Sequence, residues 1–246
     1  MNGGRVLGVD ACKRGWIAIA VEGAVTEAYF AEDIEVLMAR APADGPLAIV
    51  AIDMPIGLPD RGHRQADVLA RAAIGPLWPS VFMTPVRQAL LAADHGAASA
   101  ISRQLTGHGI SIQAFGLKPK LVEVEQWVRK AAMRVVEIHP EVCFARLAGA
   151  PLTFRKSSWA GAERRRALLA EAGISLAGDL NGTGAYAGVD DVLDAGAAAW
   201  TARQVLRGHA SPLVGAENLF TWADALQSAI PRPVPGEPVL ACLDVR

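Results

Sequence analysis

Short apolar runs separated by polar turns open the chain. Residues 5 to 9, RVLGV, form a short apolar run ending in Asp10. After the polar turn Ala11 to Gly15, WIAIAV predicts a second strand, and AVTEAYF, beyond a Glu22-Gly23 hairpin turn, predicts a third. AEDIEVLMAR then carries Ile34, Leu37 and Met38 at helical spacing. LAIVAID is nearly continuous and β-branched, the pattern of a strand covered on both faces, and it stops at Met54-Pro55. From about residue 60 to 132 the pattern changes to helical pieces broken by Gly and Pro: RQADVLARAAI, TPVRQALLAADH and PKLVEVEQWVRKAAM. RVVEIH predicts a fifth strand, closed by Pro140 in the first turn of a helix, EVCFARLAG. A polar loop holding Arg155, Lys156, Ser157 and Ser158 leads to a helix AERRRALLAEA, a Gly-rich loop NGTGAYAG, and a long helix from about Val189 to Leu206. Near the end, VLACLDV reads as a late edge strand or a docked extension. The expectation is an α/β fold in one domain, 1–246, with flanking helices, a helical insertion at about 60–132 between strands four and five, and a C-terminal extension from about 210.

Composition narrows the function classes. Hydrophobic residues make up 52% and charged ones 20%, with no apolar run of membrane-spanning length, so neither disorder nor a membrane partner is expected. The N-terminus has a charge inside its only apolar stretch and no small-residue cleavage pattern, which makes a cytoplasmic protein the expectation. With 24 Lys plus Arg against 25 Asp plus Glu the net charge is -1, so any nucleic-acid contact has to come from local patches. Cys12, Cys143 and Cys242 are odd in number and widely spaced, which excludes a disulfide framework or zinc knuckle and predicts small buried side chains.

Candidate chemistry lies in the acids. Asp10 follows the first strand, Asp53 the fourth, and Asp190, Asp191 and Asp194 lie on the long helix, with Asp191 and Asp194 at i and i+3 on one face. Each also has a plain structural reading: Asp10 and Asp53 as turn acceptors, Asp190 as a helix N-cap, Asp191 as an acid favoured by the helix dipole. Asp194 sits past the first turn beside Ala195, Gly196, Ala197, Ala198 and Ala199, small residues that permit close approach to a sheet and make an unpaired carboxylate costly. If the helix docks beside strands one and four, Asp10, Asp53, Asp191 and Asp194 converge. An oxygen-only set of that kind suits Mg²⁺ or Mn²⁺, and two such ions about 4 Å apart activate water for phosphodiester cleavage.

The order GVDACKRGW, AIDMPIGLP, SVFMTPVR, TGHGISIQAFGLKPKLVEVE, EIHPEVCFARLAG and DDVLDAGAAAW, over about residues 5 to 206, resembles an uncharacterised bacterial and archaeal family described as predicted RNase H-like nucleases. It is also similar to RuvC-like resolvases: the first-strand acid is then Asp10, the acid closing the fourth strand Asp53, where resolvases carry Glu, and the D-x-x-D-A motif Asp191 to Ala195. The resemblance implies an RNase H-like mixed sheet and a divalent-metal nuclease acting on DNA or RNA, with those four aspartates as metal ligands and catalytic groups.

Around this centre, Glu137 and His139 at the end of the fifth strand are expected to orient ligands or carry a proton. Lys13, Arg87 and Lys156 are expected to contact substrate phosphates, with Arg14, Lys118, Lys120 and Arg155 as further basic residues near the site. Arg164, Arg165 and Arg166, successive on a helix, read as a solvated face, and Trp16, Trp127 and Trp200 as core. His139-Pro140-Glu141 lacks the cysteines of a zinc-deaminase signature, and Gly182 to Ala187 matches G-x-G-x-x-A without a preceding strand, so it reads as a mobile loop. Two other classes remain: an ATP-binding protein of the actin-like superfamily, against which the bulky turn ACKRG argues, and a catalytically silent nucleic-acid or protein-binding module. Nothing in the sequence sets an oligomeric state.

Overall fold

The computed structural model describes residues 4–213 and 243–245. Three strands, β1 (Arg5–Cys12), β2 (Gly15–Glu22) and β3 (Val25–Ala31), form an antiparallel meander. Its two turns are two residues long, Lys13-Arg14 and Gly23-Ala24, the second with Gly23 at φ 59. The chain passes through α1 (Ile34–Arg40), N-capped by Asp33, into β4 (Leu47–Ile52), which pairs parallel with β1. The insertion holds α2 (Gln65–Ala73), α3 (Arg87–Leu90), α4 (His95–Thr106), α5 (Ile112–Gly116) and α6 (Lys118–Val128). Parallel β5 (Arg134–Glu137) completes a mixed sheet of order β3-β2-β1-β4-β5, followed by α7 (Pro140–Ala148), α8 (Trp159–Glu171) and α9 (Val189–Leu206). The sequence therefore predicts the main sheet, its flanking helices and the placement of the insertion between β4 and β5.

Strand periodicity sorts the core into two layers. Val6 of β1, Ile17, Ile19 and Val21 of β2, Ile49 and Ala51 of β4 and Val136 of β5 pack with α7, α8 and α9. The intervening positions, Leu7, Val9, Ala18, Val50, Ile52 and Val135 among them, pack with α1 and α6 on the other face. Helix α9 is buried along its length from Leu193 to Val205, and Gly8 explains how it lies so close to β1: a Cβ there would stand 2.0 Å from the Ala199 nitrogen and 2.2 Å from the Ala195 carbonyl oxygen.

The insertion differs in detail from the pattern. TPVRQALLAADH is helical only over Arg87–Leu90, because Asp94 accepts the Ala97 N–H (2.9 Å) and starts a new helix, α4. α4 itself escapes a hydrophobic-period reading because its buried face is Ala98, Ser99 and Ser102. At the C-terminal side, β6 (Ala210–Pro212) and β7 (Leu243–Val245) form a separate antiparallel ladder, so the described end of VLACLDV pairs outside the main sheet; 214–242, most of the expected extension, lie outside the described residues. Cys12 and Cys143 are buried and free, and Cys242 lies outside the described residues. No described helix is long and apolar enough to cross a membrane.

Candidate metal centre

The strand parity that sorts the core also aims the acids. Asp10 shares the face of Val6 and Gly8, and Asp53, one residue past β4, shares that of Ile49 and Ala51, so both carboxylates emerge on the α9 side. The ladder continues as far as Asp53, whose N–H donates to the Val9 carbonyl (3.0 Å), which sets Asp53 level with Asp10. Asp194 comes in from α9, drawn close by Gly8 and the alanine stripe. One carboxylate oxygen from each of Asp10, Asp53 and Asp194 lies within 4.8 Å of the others. Asp10 is 6% and Asp194 1% exposed, and Asp194 Oδ1 is buried with no hydrogen-bond partner among the described residues. Asp10 Oδ1 accepts the Ala11 N–H (2.8 Å).

Burial and like charge act together on these groups. Burial, then Asp53 and Asp194, push the Asp10 carboxyl well above its ordinary range. Burial and Asp194 hold Asp53 up at about 8, and burial raises Asp194 to about 6 against the opposing pull of Lys156. Lys156 Nζ donates to Asp194 Oδ2 and stands 3.8 Å from Asp190 Oδ2. Burial lowers the Lys156 pKa, but the charges of Asp194, Asp10 and Asp53 outweigh it and raise it. The donor set is entirely oxygen, it is anionic, and one of its buried oxygens lacks a partner, so the three carboxylates could hold a hard metal cation.

The other expected site residues divide. Asp191 stays outside the converging set: its Oδ2 accepts the Gly188 N–H (2.9 Å) and caps α9, so it acts on Asp10 through its charge. Glu137 belongs to the opposite parity, with Val135, and its Oε2 accepts from the Ile56 N–H (2.8 Å) and Arg64 Nη2 (2.5 Å). It holds the chain just past Asp53. Arg64 also donates to Thr84 Oγ1 (3.0 Å), tying the insertion to that anchor. His139 lies beside Asp53 in a small cavity of about 30 Å³; burial lowers its pKa to about 4, and Nδ1 is buried without a partner.

Among the cations, Lys156 is the one that reaches the acids, through a direct ion pair. Lys13 and Arg14 form the exposed tip of the β1–β2 hairpin, Arg14 lying over the Tyr186 ring (4.7 Å), and Arg155 is exposed next to Lys156. Arg87 does not serve the site: it pairs with Glu125 of α6 (2.5 and 2.9 Å), on the other face of the sheet. Lys118 donates to the Ala92 carbonyl (2.9 Å) and Lys120 lies over the Trp16 ring (4.4 Å), also away from the acids. Trp16, Trp127 and Trp200 are buried, as their periodic contexts predict.

The arginine run is a correction. Arg164 and Arg166 face solvent, but Arg165 is wholly buried, with Nη2 donating to both Glu141 oxygens at 2.7 Å. The spacing Gly161, Arg165, Leu168, Leu169 marks the buried face of α8, a signal that charge counting hides. The NGTGAYAG loop carries a tight turn, Thr183–Ala185, and is joined to β3 by Tyr186 stacked on Phe30 (centroids 4.8 Å).

Fold and site together define an α/β protein in which the ends of the adjacent strands β1 and β4, with α9, converge three carboxylates that could hold a metal ion. The chain belongs to the family described as "Protein of unknown function (DUF429)", whose model matches residues 8–218 and so spans all three acids. No curated protein and no solved structure matches it.

Proposed function

We propose that the protein is a divalent-metal-dependent nuclease that hydrolyses phosphodiester bonds of DNA or RNA, with Mg²⁺ or Mn²⁺ held by Asp10, Asp53 and Asp194. The observation that carries this reading is the convergence of three acids at the ends of adjacent strands and on α9, one of whose buried oxygens, Asp194 Oδ1, lacks a partner. The strand order and the position of the acids support the RNase H-like architecture that the resemblance implies. Exposed cations and rings in the turn after Asp10, the segment around Lys156 and the loop before α9, Lys13, Arg14, Arg155, Phe154, Trp159 and Tyr186, suit a polyanion with stacking bases.

When bound, the cation supplies positive charge to a phosphoryl oxygen and lowers the pKa of a coordinated water. The chain's own groups do the rest. Asp10 and Asp53 fix the site on the rigid sheet, while the Glu137 carboxylate anchors the Ile56 N–H and so the turn that aims Asp53. Lys156 keeps Asp194 ionised and oriented. Without a cation, burial and the neighbouring carboxylates favour the protonated form of Asp53, so a cation competes with protons for the same oxygens.

Single- and double-stranded DNA and RNA incubated with the protein in Mg²⁺, Mn²⁺, Ca²⁺ or EDTA test this. Cleavage in Mg²⁺ or Mn²⁺, little in Ca²⁺, none in EDTA, and loss in Asp53→Asn with the fold intact are expected. Cleavage that survives EDTA contradicts the mechanism, and metal-independent nucleic-acid binding without cleavage favours a silent binding module.

A further inference from the structure

Lys156 is more firmly built in than a substrate-reaching lysine needs to be. The loop before α8 is fastened on both sides of it. The buried Arg165 donates from Nη1 to the Phe154 carbonyl (3.0 Å), and the Ser158 N–H and hydroxyl donate to the Arg155 carbonyl (3.0 and 2.8 Å). Gly161 makes room for that turn, since a Cβ there would stand 2.0 Å from the Arg155 oxygen. Arg165 is itself locked by two hydrogen bonds to Glu141 in the core. A lysine whose backbone is pinned next to its own residue loses less freedom when its ammonium is fixed on Asp194.

We infer that Lys156 is a permanent cation of the carboxylate centre, occupying the place of a second metal ion, so that the centre takes one divalent cation rather than two. This rests on the metal-site reading above. Three converging carboxylates, two of them buried, carry three negative charges when ionised, and Lys156 with one divalent ion supplies three positive ones. Asp194 has one oxygen for each: Oδ2 is held by Lys156, and Oδ1 is buried and without a partner. Asp191, the fourth acid that a two-ion site would draw on, is turned to its own helix cap. The Glu141–Arg165 pair is then a positioning device for Lys156.

The test is the number of Mn²⁺ ions bound per chain, counted by calorimetry and by loss of the free-ion paramagnetic signal. One ion is expected for wild type and for Lys156→Arg, and two for Lys156→Gln, with circular dichroism checking that each variant is folded. Two ions on wild type, or one on folded Lys156→Gln, overturn the inference and leave the metal site standing. No ion on wild type overturns both. If Lys156→Gln does not fold, Lys156→Met takes its place with the same two-ion expectation.

Discussion

At the end of the sheet the chain buries acids in two ways. Glu137 and Glu141 each meet an arginine: Arg64 and the Ile56 N–H donate to Oε2 of the first, and both oxygens of the second are taken by Arg165. Among the described residues, Asp10, Asp53 and Asp194 share one ammonium, Lys156, and the oxygen Asp194 Oδ1 is left without a partner. Both regions cost desolvation energy, but among the described residues the first is compensated by paired cations and the second only in part, by Lys156. Two carboxylate oxygens within 4.8 Å of each other repel by about 3 kcal/mol or more at an effective dielectric near 20, before screening and protonation reduce it. The difference separates an acid that holds the fold together from one that awaits a counter-charge.

The comparison breaks most visibly at Arg165. Arg165→Ala leaves Glu141 buried and unpaired, and should cost about 3–5 kcal/mol in urea or thermal unfolding. A cost under about 1 kcal/mol would place the pair with the weak surface bridges.

Saturating metal should have the next largest effect. A hundredfold excess of Mn²⁺ over its dissociation constant should stabilise wild type by about 2.7 kcal/mol, and Asp53→Asn far less. Equal shifts in both would mean that the ion binds elsewhere.

The pH dependence sharpens the contrast. Asp53 stands at about 8 and Asp194 at about 6, above the ordinary 3.8, so between those limits the metal-free folded protein binds protons that the unfolded chain has released. Their contribution to stability is therefore greatest below about pH 4 and is lost as pH rises toward about 8. The stability of wild type minus that of Asp53→Asn, measured in EDTA, should fall across this window, and the fall should vanish in Mn²⁺. A difference that rises with pH would contradict the crowding.

The smallest effect is expected at Arg87, whose partner Glu125 is on the far face. Arg87→Ala should cost no more than about 1 kcal/mol, given its partial exposure, and leave the salt dependence of nucleic-acid binding unchanged. A salt slope reduced by about one would return Arg87 to the substrate contacts.

Much of this was legible in the residues because strand parity is a strong constraint. Asp10 and Asp53 follow Val6 and Ile49 at even spacing, so a face that buries those residues also aims the acids, and the Ala-Gly stripe beside Asp194 announces close contact with the sheet. The same parity, applied to Val135 and Glu137, puts Glu137 on the other face, and the buried-face spacing of α8 picks out Arg165. What sequence could not carry was pairing across the fold. Lys156 meets Asp194 and Arg87 meets Glu125 through 38 residues of separation in each case, which no local period encodes. α4 stayed hidden for a different reason, since Ser99 and Ser102 bury small polar side chains where a helix usually shows leucines.

The central claim, that these aspartates crowd together to receive a divalent cation, is tested most directly by melting wild type and Asp10→Asn in EDTA and in Mn²⁺. Asn retains an oxygen for the Ala11 N–H and removes a negative charge, so the account predicts that Asp10→Asn melts higher than wild type in EDTA, by an amount worth on the order of 1 kcal/mol. Mn²⁺ should then raise wild type much more than the variant, bringing the two curves together or across. A variant less stable than wild type in EDTA, with equal Mn²⁺ shifts in both, would contradict the account and leave Asp10 a turn residue.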